Sequence, residues 1–248
     1  MIPGMAGRSL LDASGRVLLL TGAAGGIGAA VAAAYRQAGG TVAGLDLVGD
    51  ELVGGEDILA CDTADEAAVA AAVAAVLERH GRIDDVVHAA GVVGEGRLAD
   101  MALAAWQRVL DANLTSAFLL ARACAGPLAA ARGRLVFLSS TNGRNGGSHL
   151  SGAAYAVAKA GLINLTRYLA REWAGDGVRV NCVAPGPVDT PMLARLDAET
   201  RAALEGGTLT GRLPTADDIA ASIAFLLSDN AAAFTGTTLN PSAGFLLD

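Results

Sequence analysis

The chain has 248 residues, 52% of them hydrophobic, and 25 acidic against 18 basic side chains give a net charge of −7. That length fits one α/β domain over 1–248 with a large core, and the acidic balance excludes the basic surface a nucleic-acid partner requires. Cys61, Cys124 and Cys182 are scattered, and His80, His88 and His149 lie far apart, so core roles and no metal site are expected.

Residues 1–15 read as a loose lead-in. With Arg8, Asp12 and Arg16 they lack the apolar run of a secretory signal, which places the protein in the cytoplasm. The apolar run Val17–Leu20 then forms a strand over 16–21. It is followed by Thr21-Gly22-Ala23-Ala24-Gly25-Gly26-Ile27-Gly28 and an Ala-rich helix over 26–38. The uncharged stretch 17–35 has the length of a membrane span, but its glycines at 22, 25, 26 and 28 fit a nucleotide-binding turn instead, and no membrane is expected. Glycine lets backbone amides approach a pyrophosphate, which then faces the positive end of the helix.

Thr41–Asp46 reads as a second strand ending in an acid. A carboxylate there accepts hydrogen bonds from an adenosine ribose and repels a 2′-phosphate, and no arginine lies between 38 and 56 to welcome one. NAD is therefore favoured over NADP. Further strands are expected at 57–60, 83–88, 133–139, 178–183 and 237–240. Helices are expected at 65–79, 102–130 (broken into two), 154–174 and 216–228. Such alternation predicts a Rossmann-like, doubly wound parallel sheet of about seven strands, with helices on both faces and ligands beyond the strands' carboxyl ends.

Among the eighteen Lys and Arg residues Lys159 is the one lysine, and it follows Tyr155 by four residues in Tyr-Ala-Val-Ala-Lys. One helical turn apart, the two share a face. A neighbouring cation favours phenolate over phenol and turns a tyrosine into a usable acid/base. A surface lysine beside a half-buried tyrosine would carry the same spacing.

With these residues in place the chain resembles the short-chain dehydrogenase/reductase family over nearly its whole length. Thr21-Gly22 through Gly26-Ile27-Gly28 matches the family's cofactor turn, and Tyr155 to Lys159 its Tyr-x-x-x-Lys. Asp62-Thr63 sits where the family contacts adenine, Asn113 where it keeps a catalytic asparagine, and Pro185-Gly186-Pro187-Val188-Asp189-Thr190 where its Pro-Gly segment lines the nicotinamide.

The resemblance implies that Tyr155 exchanges a proton with the substrate oxygen and that Lys159 holds the nicotinamide ribose. It further implies that Ser140 hydrogen-bonds the carbonyl and that Asn113 anchors a water. Ser139 competes with Ser140, but Ser140-Thr141-Asn142-Gly143 matches the family's Ser-x-x-Gly. Ala89 and Gly91 stand at backbone contacts to the cofactor within His88-Ala89-Ala90-Gly91, where the family usually has Asn-Asn-Ala-Gly; His88 reads as a structural core residue. The glycine-rich loop after Ser140 nominates Asn142, Arg144 and His149 for substrate recognition, and a lid over 190–214 nominates Met192. Pro241, just before Ser242-Ala243-Gly244, ends the last strand by Asn240.

The resemblance thus implies an NAD-dependent enzyme interconverting a secondary alcohol and a ketone, as a homo-oligomer of two or four subunits. The rival readings are a dehydratase or epimerase that keeps its NAD without net turnover, and a regulatory module that only binds the nucleotide.

Overall fold

The computed structural model describes residues 11–47 and 58–247. Seven parallel strands form one sheet: β1 Val17–Thr21, β2 Thr41–Asp46, β3 Ile58–Ala60, β4 Asp85–His88, β5 Arg134–Leu138, β6 Arg179–Val183 and β7 Thr238–Leu239. Their order is β3-β2-β1-β4-β5-β6-β7, so the chain reverses its winding between β1 and β4. A crevice opens at such a switch point, beyond the carboxyl ends of the strands. Residue 57, expected to open β3, lies outside the described residues, as does Arg8.

Because successive strand side chains point to opposite faces, the unbroken apolar runs supply two cores at once. Leu19, Val86, Leu135, Phe137, Val180 and Cys182 face one side, where helices α2 (Glu66–His80), α4 (Ser116–Ala131) and α6 (Gly152–Glu172) pack. Leu18, Leu20, Val87, Val136, Leu138 and Val183 face the other, under α1 (Gly26–Gln37) and α8 (Ala216–Leu227). Each fully buried leucine contributes roughly 1.5–3 kcal/mol. All three cysteines are buried. Leu11 and Ala13 are also buried, in the core of the α1 face, so this part of the lead-in is packed rather than loose.

The helical stretch expected to break in two is continuous. Helix α3 (Leu103–Leu110) passes through a π-helical turn at Asp111–Thr115 directly into α4. This run, Leu103–Ala131, is long and apolar enough to cross a membrane by length and composition; here Leu119, Leu120, Cys124 and Leu128 lie buried against the sheet. Two short helices went unforeseen, α5 (Asn142–Asn145) and α7 (Ala198–Gly206). The second carries an ordinary start signal, with Asp197 accepting a hydrogen bond from Thr200 N and Glu199 in the first turn.

Candidate active site

The crevice begins at the turn after β1. Gly22 has φ of +68°, and a Cβ on it would lie 2.8 Å from the backbone nitrogen of Ala90. Only glycine lets this turn abut the chain leaving β4. Helix α1 then starts without a side-chain cap and without an acid in its first turn, leaving its positive end to the crevice. Asp46 closes that end: its carboxylate accepts from Ala24 N at 3.0 Å and Leu47 N at 2.8 Å. Asp62 and Thr63, after β3, line the same end.

The opposite end is built on α6 and the π turn. Tyr155 and Lys159 lie one turn apart, with the lysine nitrogen 5.3 Å from the tyrosine ring centre. Lys159 is buried, and its Nζ donates to the Leu138 carbonyl at 2.8 Å. The extra residue of the π turn carries Asn113 inward, a device common at functional sites. Its Nδ2 donates to the carbonyls of Val92 and Val109, both at 2.8 Å, while its buried Oδ1 has no hydrogen-bond partner. A Cβ on Gly91 would sit 2.4 Å from that oxygen, so glycine keeps the approach to it open. After β5 the two serines divide. The Ser139 hydroxyl donates to the Lys159 carbonyl at 2.7 Å, tying strand to helix, whereas Ser140 interacts with the Tyr155 phenol.

Burial dominates the electrostatics here. It pushes Tyr155 up to about 12, against the lowering effects of the Ser140 hydroxyl and the Arg195 charge. Lys159 is pushed down to about 8 by the same cause. The expectation that Lys159 lowers the tyrosine is not met in this state: its ammonium is turned to Leu138 and is absent from the influences on Tyr155. His88 is fully buried and held down to about 3 by burial and by the nearby Lys159 charge, so it is neutral. Its Nε2 meets Ser116 Oγ at 2.9 Å, and Ser116 donates onward to the Ala112 carbonyl, which links β4 to the π turn.

Together these residues line one cleft of 770 Å³. It also takes in Gly26, Ile27, Gly28, Ala89, Gly186, Val188, Thr190, Asn142 and Met192. Two nominated residues do not line it. The Arg144 guanidinium donates to the Thr238 carbonyl at 3.1 Å, bracing the last strand, and His149 is an exposed loop residue whose carbonyl accepts from Gly96 N. The loop itself stays at the cleft, through Asn145, Gly147, Ser148 and Leu150, with α5 setting which of its side chains face it. Among the described residues no group of three or more His, Cys, Asp or Glu side chains is placed to hold a metal.

A family model described as enoyl-(acyl carrier protein) reductase matches residues 22–245. The chain is 36% identical over 245 residues to a cis-4-hydroxycyclohexanecarboxylate dehydrogenase of Sinomonas cyclohexanicum, covering 93% of this chain and 96% of that protein. It is 34% identical over 247 residues to the 3-oxoacyl-(acyl-carrier-protein) reductase FabG of Escherichia coli, covering 96% and 100%. The crystal structure of a 3-oxoacyl-(acyl-carrier protein) reductase from Brucella melitensis superimposes with a TM-score of 0.87 at 32% identity, over 95% of this chain and 93% of that one. The chain belongs to the short-chain dehydrogenase/reductase family.

The chemistry of short-chain dehydrogenases and reductases is oxidoreduction at CH–OH and keto groups with a nicotinamide cofactor. The cleft fits that group: an uncapped helix end, an acid 3.0 Å from the glycine turn, and an orphaned Asn113 Oδ1 lie along one continuous surface. Several residues of this dehydrogenase/reductase cleft carry no sequence signal, among them Ser148, Leu150, Ser151 and Arg195. Arg195, in the 3₁₀ turn Pro191–Arg195 of the lid, lines the cleft and acts on Tyr155. No motif in the sequence sets Arg195 apart from Arg201 and Arg212, the lid's other arginines.

Proposed function

We propose that the protein is an NAD-dependent oxidoreductase that interconverts a secondary alcohol and a ketone, with Tyr155 as the general acid/base. The observation that carries this reading is the convergence of Ser140, Tyr155, Lys159 and the orphaned Asn113 Oδ1 at one end of a cleft whose other end is the glycine turn. When bound, the nicotinamide ring supplies the hydride or accepts it.

A phenol held near 12 keeps its proton at neutral pH and is set to donate it to a substrate oxygen during reduction. Ser140 steadies the same oxygen as charge develops on it. Lys159, with its affinity for a proton brought near neutrality, binds the ribose and passes protons towards Tyr155; Asn113 Oδ1 receives a water that continues the path. Gly22, Gly26, Ile27 and Gly28 take the pyrophosphate at the end of α1, and Asp46 takes the adenosine ribose, with Asp62, Thr63, Ala89, Gly91, Gly186, Val188 and Thr190 along the remaining surface. Asn142, whose Nδ2 donates to Ser151 Oγ at 2.8 Å, and Met192 border the substrate.

We also propose a homo-oligomer, supported by the exposed Phe118, Val157 and Tyr168 on α4 and α6; sedimentation that gives a monomer would remove this part.

The test is Tyr155→Phe. Turnover is expected to fall by about 10²–10⁴-fold while NADH binding and the unfolding midpoint stay put. Turnover close to that of the unaltered enzyme would take the acid/base role away from Tyr155.

A further inference from the structure

The substrate end of the cleft holds one cation whose position the fold does not account for. Of the arginines around the lid, Arg201 pairs with Asp189 at 2.7 Å and Arg212 with Asp218 at 2.6 Å, both on the surface. Arg144 braces the Thr238 carbonyl. Arg195 differs. Its guanidinium makes one hydrogen bond among the described residues, from Nη2 to the Leu150 carbonyl at 2.6 Å. The nearest carboxylate is Glu95, 4.0 Å from Nη1 and 84% exposed, an ion pair of negligible strength in water. Arg195 and Leu150 both line the cleft, and the guanidinium, 38% exposed, has further N–H donors beyond the one given to Leu150.

The surroundings define what such a fork would meet. The two acids lining the cleft, Asp46 and Asp62, stand at the adenosine end, while Leu150, Met192, Leu193, Leu196 and Leu204 surround the lid end. Lys159, the other cation of the lining, is buried and donates to Leu138. An arginine between an apolar wall and a catalytic end recognises a planar anion by two parallel hydrogen bonds. In an apolar setting a carboxylate enters only when so paired. Arg195 and Tyr155 line the same cleft, so an anion at one and a reacting oxygen at the other can belong to one molecule.

We propose that Arg195 binds the carboxylate of the substrate, and that the substrate is a hydroxy or oxo acid with an apolar body between its carboxylate and the carbon that is oxidised or reduced. This rests on the reading of the cleft as an oxidoreductase site and adds to it a substrate class and a specificity residue. The apolar lid side chains hold the body, Arg195 the acid group, and Tyr155 with Ser140 the oxygen at the far end.

The test is binding of a matched pair of unreactive probes, cyclohexanecarboxylate and cyclohexanecarboxamide, titrated calorimetrically into the full-length protein with and without NADH. The carboxylate is expected to bind about tenfold or more tightly than the amide. In Arg195→Met the two should bind alike, and Arg195→Lys should restore part of the preference, as a point charge without the fork. No preference in the unaltered protein, or one that survives Arg195→Met, overturns the proposal. So does a parallel loss of NADH affinity in both variants, which would assign Arg195 to the cofactor. Oxidation of secondary alcohols is measured separately: selective carboxylate binding without any turnover would sink the redox reading and leave Arg195 an anion site, whereas turnover without selectivity would do the reverse.

Discussion

At the amino-terminal edge of the sheet, Asp85 at the start of β4 is buried among Arg16, just before β1, Arg134 at the start of β5, and the Tyr35 hydroxyl of α1. At the carboxyl edge, beyond the other ends of these strands, Lys159, Asn113 and the half-buried Tyr155 converge from α6 and the π turn, and Asn113 keeps an oxygen with no partner. The first edge gathers charges of both signs, although Arg16 Nε and Asp85 Oδ1 have no hydrogen-bond partner there. Arg134 continues to Asp229, and Arg179, at the start of β6, donates to the carbonyls of Leu226, Ser228 and Ala231, fastening the end of α8 to the sheet. The second edge opens on a cleft. The same strands and the same cost of burying polar groups thus serve two ends: a charge network in which Arg16 and Arg134 answer the buried Asp85, and a set that faces an open cleft.

The difference can be broken first at the scaffold. Asp85→Ala leaves Arg16 and Arg134 facing each other in a buried position, and removing one partner of a buried ion pair costs about 3–5 kcal/mol. Denaturant titration should show that loss, with turnover per folded molecule unchanged. This mirrors Tyr155→Phe, which should lose turnover and keep stability. A turnover defect in Asp85→Ala beyond the loss of folded protein would couple the two edges.

The two edges also differ in how far the sequence disclosed them. Strands β1 and β5 carry continuous apolar runs because both faces are buried, β4 and β6 carry shorter ones broken by Asp85, His88 and Asn181, and the glycine turn, Asp46, Tyr155 and Lys159 carry their meaning within a few neighbouring residues. The charge network has no local pattern: Arg16 and Asp85 are 69 residues apart and meet only because β1 and β4 are neighbours in a switched strand order. Arg195 stayed hidden for the same reason, since its orientation depends on the Leu150 carbonyl, 45 residues earlier. A glycine-rich loop does not disclose which of its side chains face the cleft: a short helix ended by Gly146 at φ +84° sets that, and it leaves Arg144 and His149 outside the lining. Proximity in sequence likewise does not disclose the Leu138 carbonyl that accepts from the Lys159 ammonium, 5.3 Å from the Tyr155 ring centre.

His88 ends β4 at the carboxyl edge, yet it is fully buried, and its titration sharpens the contrast. Its folded affinity for a proton is depressed to about 3, below the ordinary value near 6.5, so the unfolded chain binds the proton first as pH falls. Stability contributed by the neutral ring is therefore complete above about 6.5 and is lost progressively below it, by about 2 kcal/mol between pH 7 and 5. His88→Asn keeps a partner for Ser116 and removes the titration. Its unfolding midpoint should change less than that of the unaltered protein over this interval; an equal change would place the acid sensitivity in other groups.

The smallest expected effect lies at the adenosine end, where one carboxylate belongs to both kinds of edge. Asp46 is satisfied by Ala24 N and Leu47 N, as a scaffold acid would be, yet it also lines the cleft, as a ligand-binding one does. Asp46→Asn separates the two roles, because the amide oxygen can still accept from Ala24 N while the charge is gone. If Asp46 selects NAD by repelling a 2′-phosphate, the ratio of kcat/KM for NAD over NADP should fall roughly tenfold, a change of about 1.4 kcal/mol, with the unfolding midpoint held. A midpoint that falls while the ratio holds would make Asp46 a brace for the glycine turn and move the discrimination elsewhere. Asp46→Ala then serves as the control, since it removes the acceptor and the charge together: it should lose stability where Asn does not, and match Asn in the cofactor ratio.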